Sequence, residues 1–291
     1  MHENEVLADP PLVRRLLAEQ MPQWAGLQVA EVPLGGTDNA VYRLGDDLVV
    51  RLPRIEWAVE ARAKEHHWLP RLAPLLPVAI PVPLALGKPG AGYPWPWSVY
   101  RWLDGADPSI HHEIDRDALV PDLVRFIEAM HRIELPDGPS VWRAGPLEVA
   151  GAAIEKALGV LGGTVDQTAI RSVWQRARAA PQWNGPPRWV HADLDARNIL
   201  VARGRLSAVI DWSGAGVGDP ACDIGVAWKG LSPAARAEFR AALDVDDATW
   251  ERARGWTLTQ AVNALSYYTP LTYPILAREA ELWLTSVLED T

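Results

Sequence analysis

Residues 186–225 read PPRWVHADLDARNILVARGRLSAVIDWSGAGVGDPACDIG and hold a set of side chains with a common chemistry: His191, Asp193, Asn198 and Asp211. The pair Trp189-Val190, the run NILVA from Asn198 and the run LSAVI before Asp211 have the apolar and β-branched character of short strands. Arg203-Gly204-Arg205 punctuates the last two as a hairpin turn does. Asp193 and Asn198 then lie on the loop entering a hairpin and Asp211 on the loop leaving it, so all three meet at one end. Asn198 and Asp211 are hard oxygen ligands of the kind Mg²⁺ takes, an ion that keeps several waters and is completed by substrate phosphates. Asp193, five residues before Asn198, is placed to face an incoming hydroxyl. Turn-capping Asp and Asn residues give a plainer reading of the same loops, but they do not account for four positions spaced across a hairpin.

Other elements must hold this constellation. Residues 10–20 keep Leu12, Leu16 and Leu17 at helical spacing behind a proline start. Residues 31–54 read as strand, Gly-rich turn, strand, a tight turn at Gly45-Asp46-Asp47, and strand. Gly35-Gly36-Thr37 allows close backbone approach, and successive N–H groups there suit a phosphate; an ordinary hairpin turn is the alternative. Arg51 sits between Val50 and Leu52 on the third strand, a position that points a cation toward an anion or toward solvent. The helix expected over 55–72 offers Glu60 and Glu65 as partners for it. A proline-rich extended segment, 74–97, leads to a last strand, WSVYRWLDG, which connects two lobes. Beyond it, Asp104, Asp107, Glu113, Asp115 and Asp117 face only Arg116, forming either an acidic rim for a cation or a solvated capping region. Helices are expected over 117–133, 146–162, 166–180, 232–243, 247–268 and 274–289.

Composition bounds the class. The chain has 291 residues, 48% of them apolar and 22% charged, which suits one large or two closely packed globular domains. Fifteen tryptophans against two phenylalanines place most large rings in cores or pocket walls. The single cysteine, Cys222, excludes an internal disulfide and a cysteine zinc cage. The N-terminal MHENEVLADP has no apolar stretch of a secretory signal, and no apolar run reaches membrane-spanning length. A cytoplasmic protein without a membrane partner is expected. The net charge of −9 argues against a nucleic-acid partner and is compatible with a cationic small substrate.

The order His191, Asp193, Asn198, then a strand and Asp211, is that of a kinase catalytic loop and its metal-binding aspartate. VHADLDARNIL followed by VIDWSGAGVGDPACDIG resembles the aminoglycoside phosphotransferase family of antibiotic kinases; LGGTDNAVYRLGDDLVVRLPR and SVYRWLDG fit the same family, and the phrases VVRLPR and IDWS are nearest its macrolide-kinase branch. The resemblance spans nearly the whole chain and is thin after about residue 230. It implies an α+β, two-lobed, protein-kinase-like fold: an N-lobe, 1–103, with an antiparallel sheet plus a helix, and a mostly helical C-lobe, 104–291, with the catalytic hairpin. It implies transfer of the γ-phosphoryl group of ATP or GTP to a hydroxyl of a small molecule, foremost an aminoglycoside-like antibiotic, otherwise a macrolide or a metabolite alcohol. By the same resemblance Asp193 is the catalytic base, His191 braces its loop, Asn198 and Asp211 hold Mg²⁺, and Asp223 supports the loop through backbone hydrogen bonds. Gly35, Gly36, Thr37, Asp38 and Asn39 cover the phosphates, Arg51 with Glu65 supplies the phosphate-binding cation, and backbone groups near Arg101 and Leu103 hold the adenine.

Three positions depart from the family pattern. Arg51 replaces the usual lysine, exchanging a point donor for a planar fork. Ala192 stands where glycine is common and is expected to be neutral. Asp195-Ala196-Arg197 adds an acid beside the base, with Arg197 either offsetting it or contacting the transferring phosphoryl group. Two rival classes remain: a non-catalytic nucleotide-binding protein on the same fold, which only Arg51 favours, and a metal-dependent hydrolase built on His191, Asp193, Asp211 and Asp223, which is poor in histidine for zinc. Trp250, Trp256, Tyr267, Tyr268 and Trp283 are candidates to line an acceptor pocket or to fill core. Nothing in the sequence selects ATP over GTP, or a monomer over a dimer.

Overall fold

A computed structural model describes residues 5–32 and 38–290; the expected phosphate loop at Gly35, Gly36 and Thr37 lies outside the described residues. The chain divides into two compact units, Met1–Leu75 with Ala79–Asp104, and Leu76–Val78 with Gly105–Thr291.

The first unit is a five-stranded antiparallel sheet in the order β1-β2-β3-β5-β4. Its strands are β1 (Val29–Glu31), β2 (Asn39–Leu44), β3 (Leu48–Pro53), β4 (Pro83–Gly87) and β5 (Trp97–Arg101). Two helices accompany it, α1 (Pro10–Gln20) and α2 (Trp57–Leu72). Asp9 caps α1 by accepting the Leu12 N–H at 2.7 Å, and proline follows where no intrahelical donor is needed. Leu12, Val13, Leu16 and Leu17 form one helical face packed with Tyr42, Leu44, Val50, Trp97 and Val99 of the sheet. β2 and β3 turn through Gly45, whose φ of 59° needs the freedom glycine has, and pair in register so that Val41 faces Arg51.

The second unit is mostly helical. Its helices are α3 (Val120–His131), α4 (Gly151–Leu161), α5 (Gln167–Ala179), the short α6 (Ala221–Ile224), α7 (Pro233–Ala242), α8 (Asp247–Tyr267) and α9 (Pro274–Glu289). Helix α8 is buried without interruption from Arg252 to Val262, as expected of a central helix with neighbours on every side. Its two buried arginines have buried partners: Arg252 Nε donates to Asp219 at 2.7 Å, and the Arg254 guanidinium to the Val287 carbonyl of α9 at 2.7 and 3.0 Å. Two small antiparallel pairs complete the unit, β6 (Arg188–Val190) with β9 (Gly216–Gly218), and the hairpin β7 (Ile199–Ala202) with β8 (Arg205–Val209). The hairpin is pinned to α3 by Asp122, a buried carboxylate that accepts from Arg205 at 2.8 and 2.5 Å and from the Leu206 N–H at 2.9 Å. No helix among the described residues is long and apolar enough to cross a membrane.

Candidate active site

The hairpin turn is built from two left-handed residues, Arg203 (φ 54°) and Gly204 (φ 71°), the geometry of a two-residue turn matched to strand twist. At the other end of the hairpin, the Ile210 N–H donates to the Asn198 carbonyl at 2.8 Å. That bond brings the loop before β7 against the loop after β8. Asn198 therefore lies beside Asp211, whose own backbone is left-handed (φ 57°) and whose Oδ1 accepts from Ser213 at 2.9 Å.

Asp193 sits on the same loop, its side chain 26% exposed. Asn198 Nδ2 donates to the Asp193 carbonyl at 2.8 Å and to its Oδ2 at 3.2 Å. Arg143, fifty residues upstream in a 3-10 turn (Trp142–Ala144), donates to Asp193 Oδ1 at 2.5 Å. Burial alone would raise the Asp193 carboxyl, but Arg143, then Lys229 and Arg197, and His191 last, outweigh it and hold it well below the usual carboxylate range. Asp193 is thus an ionised, doubly held acceptor with part of its surface open.

The loop behind it is clamped from below. His191 is fully buried; its Nε2 lies 2.9 Å from the Ile210 carbonyl, and the Asp193 N–H points to its Nδ1 at 3.3 Å. Both ring nitrogens are therefore used by backbone. Asp223, also fully buried, accepts the His191 N–H at 2.9 Å and the Ala192 N–H at 2.8 Å, one on each oxygen. Burial pushes its carboxyl up, against His191 and those two donors. With both ring nitrogens of His191 and both oxygens of Asp223 committed to backbone, the hydrolase reading loses two of its four ligands. No group of three or more His, Cys, Asp or Glu side chains suited to a metal occurs among the described residues.

Ala192 departs from the expectation of neutrality. Its φ is 65°, in the left-handed region that costs a residue with a Cβ about 1–2 kcal/mol. The two hydrogen bonds from Asp223 hold the backbone there. The Asp195–Arg197 pair also resolves. Asp195 is fully buried, and Arg197 donates to it from Nε at 3.1 Å, from Nη2 at 2.5 Å and from its own backbone N–H at 2.8 Å. Arg197 also interacts with Tyr273 and lies 5.7 Å over the Trp283 ring. The geometry fits the offsetting role. Lys229, a cation the sequence did not flag, is buried nearby, donates to the Leu194 carbonyl at 2.9 Å and lies 5.2 Å over the same Trp283 ring.

Of the aromatic residues considered for an acceptor pocket, Trp250, Trp256 and Trp283 are buried; Tyr267 is 57% exposed and stacks edge-on with Tyr268, which in turn meets Tyr273. Three of the five acids of 104–117 cap backbone N–H groups. Arg116 makes a paired contact of 2.8 and 3.0 Å with the buried Glu279, Asp117 accepts from the Ser232 N–H, Asp107 from the Ser109 N–H, and Asp115 from the Asp117 N–H. The plainer of the two readings of this segment describes Asp107, Asp115 and Asp117.

In the first unit, Arg51 meets Glu65 rather than Glu60: Nη1 lies 3.3 and 3.4 Å from the two carboxylate oxygens, and the Tyr100 hydroxyl donates to the same carboxylate at 2.9 Å. Burial, then Glu65, pushes the Tyr100 hydroxyl above its ordinary range, so it remains a donor. Arg62, buried and unflagged by the sequence, donates to Ser98 Oγ at 2.6 Å and to the Arg51 carbonyl at 3.2 Å, with a longer contact to Asn39 Oδ1. The Asp38 carbonyl accepts the Arg54 N–H at 2.7 Å. Arg101 ends β5 opposite Leu48, and Leu103 follows it outside any strand.

An α+β chain with a five-stranded antiparallel sheet in one unit, and a helical unit carrying Asp193, Asn198 and Asp211 at one end of a hairpin, has the kinase-like fold of small-molecule phosphotransferases. A family comparison agrees: the chain belongs to the APH family of phosphotransferase enzymes, whose model matches residues 29–256. Among curated proteins none matches it in sequence. Among solved structures it is similar to the GDP complex of aminoglycoside 2'-phosphotransferase-IIIa, with a TM-score of 0.75 at 19% identity over 98% of this chain and 100% of that one. It is also similar to a macrolide 2'-phosphotransferase from Brachybacterium faecium, with a TM-score of 0.64 at 20% identity over 97% and 98% of the two chains. A third is a thermostable mutant of aminoglycoside phosphotransferase APH(4)-Ia with AMP-PNP and hygromycin B, with a TM-score of 0.63 at 18% identity over 96% and 99%.

Proposed function

We propose that this small-molecule phosphotransferase moves the γ-phosphoryl group of ATP or GTP to a hydroxyl of an antibiotic in the cytoplasm, with Asp193 orienting that hydroxyl. The carrying observation is the state of Asp193: ionised, fixed on one oxygen by Arg143 and on the other by Asn198, and still partly open. A carboxylate whose proton affinity is held this low is a weak base. Phosphoryl transfer asks little of its base, because the transition state is loose and positioning supplies most of the rate. The proposed sequence has Asp193 accept a hydrogen bond from the acceptor hydroxyl, align it in line with the phosphoryl group and receive its proton late.

Asn198 and Asp211 fit a Mg²⁺ site. Both are oxygen donors at one end of the hairpin, and turning Asn198 Nδ2 toward Asp193 leaves its Oδ1 for a cation. Two protein ligands suffice for an ion otherwise completed by water and phosphates. When bound, Mg²⁺ would neutralise charge on the phosphates. In the first unit, Arg51 is proposed to meet phosphate with Glu65 fixing its fork. Gly35, Gly36, Thr37, Asp38 and Asn39 are proposed to cover the phosphates, and the backbone near Arg101 and Leu103 to hold the base. His191 is proposed to brace the loop, and Arg197 to neutralise Asp195.

For the acceptor, an aminoglycoside-like compound is favoured by the relatives solved with kanamycin, gentamicin and hygromycin B. A macrolide is the second reading, favoured by the similarity to a macrolide 2'-phosphotransferase. The test is an acceptor panel of aminoglycosides, macrolides and metabolite alcohols, read by ADP or GDP release, on the wild type and on Asp193→Ala and Asp211→Ala. The expected result is transfer by the wild type, near-abolished turnover with nucleotide binding retained in Asp193→Ala, and lost Mg²⁺-dependent nucleotide binding in Asp211→Ala. Near-normal turnover in Asp193→Ala would remove its role.

A further inference from the structure

Arg143 belongs to no motif, yet its Nη1 lies 2.5 Å from Asp193 Oδ1 and 3.4 Å from the Ala192 carbonyl, while its guanidinium carbon sits 5.9 Å over the ring of Trp142. A guanidinium touched by a carboxylate, a carbonyl and an aromatic face has little rotational freedom. Trp142 is itself braced, its ring meeting Trp256 of α8 edge-on at 5.5 Å. The turn that carries both residues is docked on β9. The Val217 N–H donates to the Pro139 carbonyl at 2.8 Å, the Asp219 N–H donates to the Ala144 carbonyl at 2.7 Å, and Ser140 bridges Val217 in parallel. Two glycines of the GAGVGDP segment make that approach possible. A Cβ on Gly216 would collide with the Pro139 carbonyl oxygen, and one on Gly218 with the carbonyl oxygen and Cβ of Ala144.

We propose that Arg143 is a positioning residue for phosphoryl transfer, and that Gly216 and Gly218 serve to dock the turn that delivers it to Asp193. The inference rests on the reading of Asp193 as the residue that orients the acceptor. With Oδ2 held by Asn198 and Oδ1 by Arg143, the carboxylate plane is fixed from two sides by two different elements. The lone-pair directions left on its two oxygens are then fixed in space for the acceptor hydroxyl. Without Arg143 the carboxylate keeps only the 3.2 Å contact to Asn198 and can rotate about its χ angles. Misplacement of a catalytic group by about 1 Å costs on the order of a hundredfold in rate. The loss therefore falls on kcat, since nucleotide binding does not pass through this side chain.

The experiment compares the wild type, Asp193→Ala, Arg143→Ala, Arg143→Lys and Gly218→Ala by steady-state kinetics with the best acceptor, by nucleotide Kd and by thermal melting. Arg143→Ala is expected to lose kcat about tenfold to a hundredfold, with nucleotide Kd held and melting temperature lowered only modestly, because the side chain is a third exposed and its removal opens no core. Arg143→Lys should recover part of the loss, as should ethylguanidinium added to Arg143→Ala at sub-denaturing concentration. Gly218→Ala should lower kcat without rescue by ethylguanidinium, since its arginine is present but displaced. Wild-type kcat in Arg143→Ala overturns the proposal, as does a loss that neither lysine nor ethylguanidinium relieves. If the wild type transfers to no acceptor, or Asp193→Ala keeps normal turnover, the functional reading fails first and this inference falls with it.

Discussion

Replacing Asp223 by asparagine isolates what holds the loop that carries His191 and Asp193. The two residues are nearly isosteric, so packing is kept and only hydrogen bonding and charge change. Asp223 accepts the buried N–H groups of His191 and Ala192 on separate oxygens, at 2.9 and 2.8 Å. An amide has one oxygen. One bond survives as a neutral one, falling from about 1.5–3 to about 1 kcal/mol, and the other N–H is left facing an NH₂ donor, an unsatisfied buried group worth about 1–3 kcal/mol. Those losses reach about 2–5 kcal/mol. Burial already pushes the Asp223 carboxyl up, so removing the charge returns part of the loss, and the lower part of that range, about 2–3 kcal/mol, is the expected outcome. The loop also loses what keeps Ala192 at φ 65°, a conformation that relaxes once it is released. The direct assay is amide hydrogen exchange: 2 kcal/mol corresponds to about thirtyfold faster exchange at His191 and Ala192. Urea unfolding should report a loss of similar size. Exchange within a factor of two of wild type, on the order of 0.4 kcal/mol, would refute the claim that this carboxylate is what holds the loop.

Two further outcomes follow from backbone and burial. Arg203 occupies the first position of the hairpin turn with φ 54°, fully on the surface, where asparagine is the better residue; Arg203→Asn should stabilise the protein by about 0.5–1 kcal/mol, read as a rise of about 2 °C in Tm. His131 is pushed down to about 4 by burial and then by Arg188, and its Nε2 is 3.9 Å from Asp223 Oδ2, beyond hydrogen-bond reach. Its folded pKa lies below the unfolded value of about 6.5. The unfolded chain therefore takes up the proton first as pH falls. The stability the neutral ring contributes is intact above about pH 6.5 and is lost as pH drops toward 4, by up to about 3 kcal/mol. His131→Phe should flatten that decline, seen in unfolding free energies compared between about pH 7 and about pH 5; an unchanged slope would show that His131 does not set it.

What could be read in the chain beforehand divides by the range of the forces involved. Helix α1 is legible in the sequence because the proline start and the leucine spacing act locally; the Asp9 cap agrees with that start. The hairpin was legible for the same reason, with Arg203-Gly204 between two β-branched runs. Glu65 could be preferred to Glu60, and the contact with Arg51 is there, because family phrasing marked that face of α2. Ala192 was misjudged: its identity says nothing about φ, and the left-handed backbone is imposed by Asp223 from 31 residues away. Asp195 and Arg197 were visible as charges, but their mutual pairing depends on Asp195 being driven into the interior, a tertiary fact. Arg143, Lys229 and Arg62 were invisible for a further reason. A cation carries no spacing signature when the anion it serves lies on another element, and each of these reaches its partner only after the unit has packed. The one trace Arg143 left is indirect. Gly216 and Gly218 alternate on a strand, where glycine weakens pairing unless another backbone comes close. That spacing is a signal from which a docked segment could be inferred, without saying which one, and the segment is the turn that brings Arg143 to Asp193.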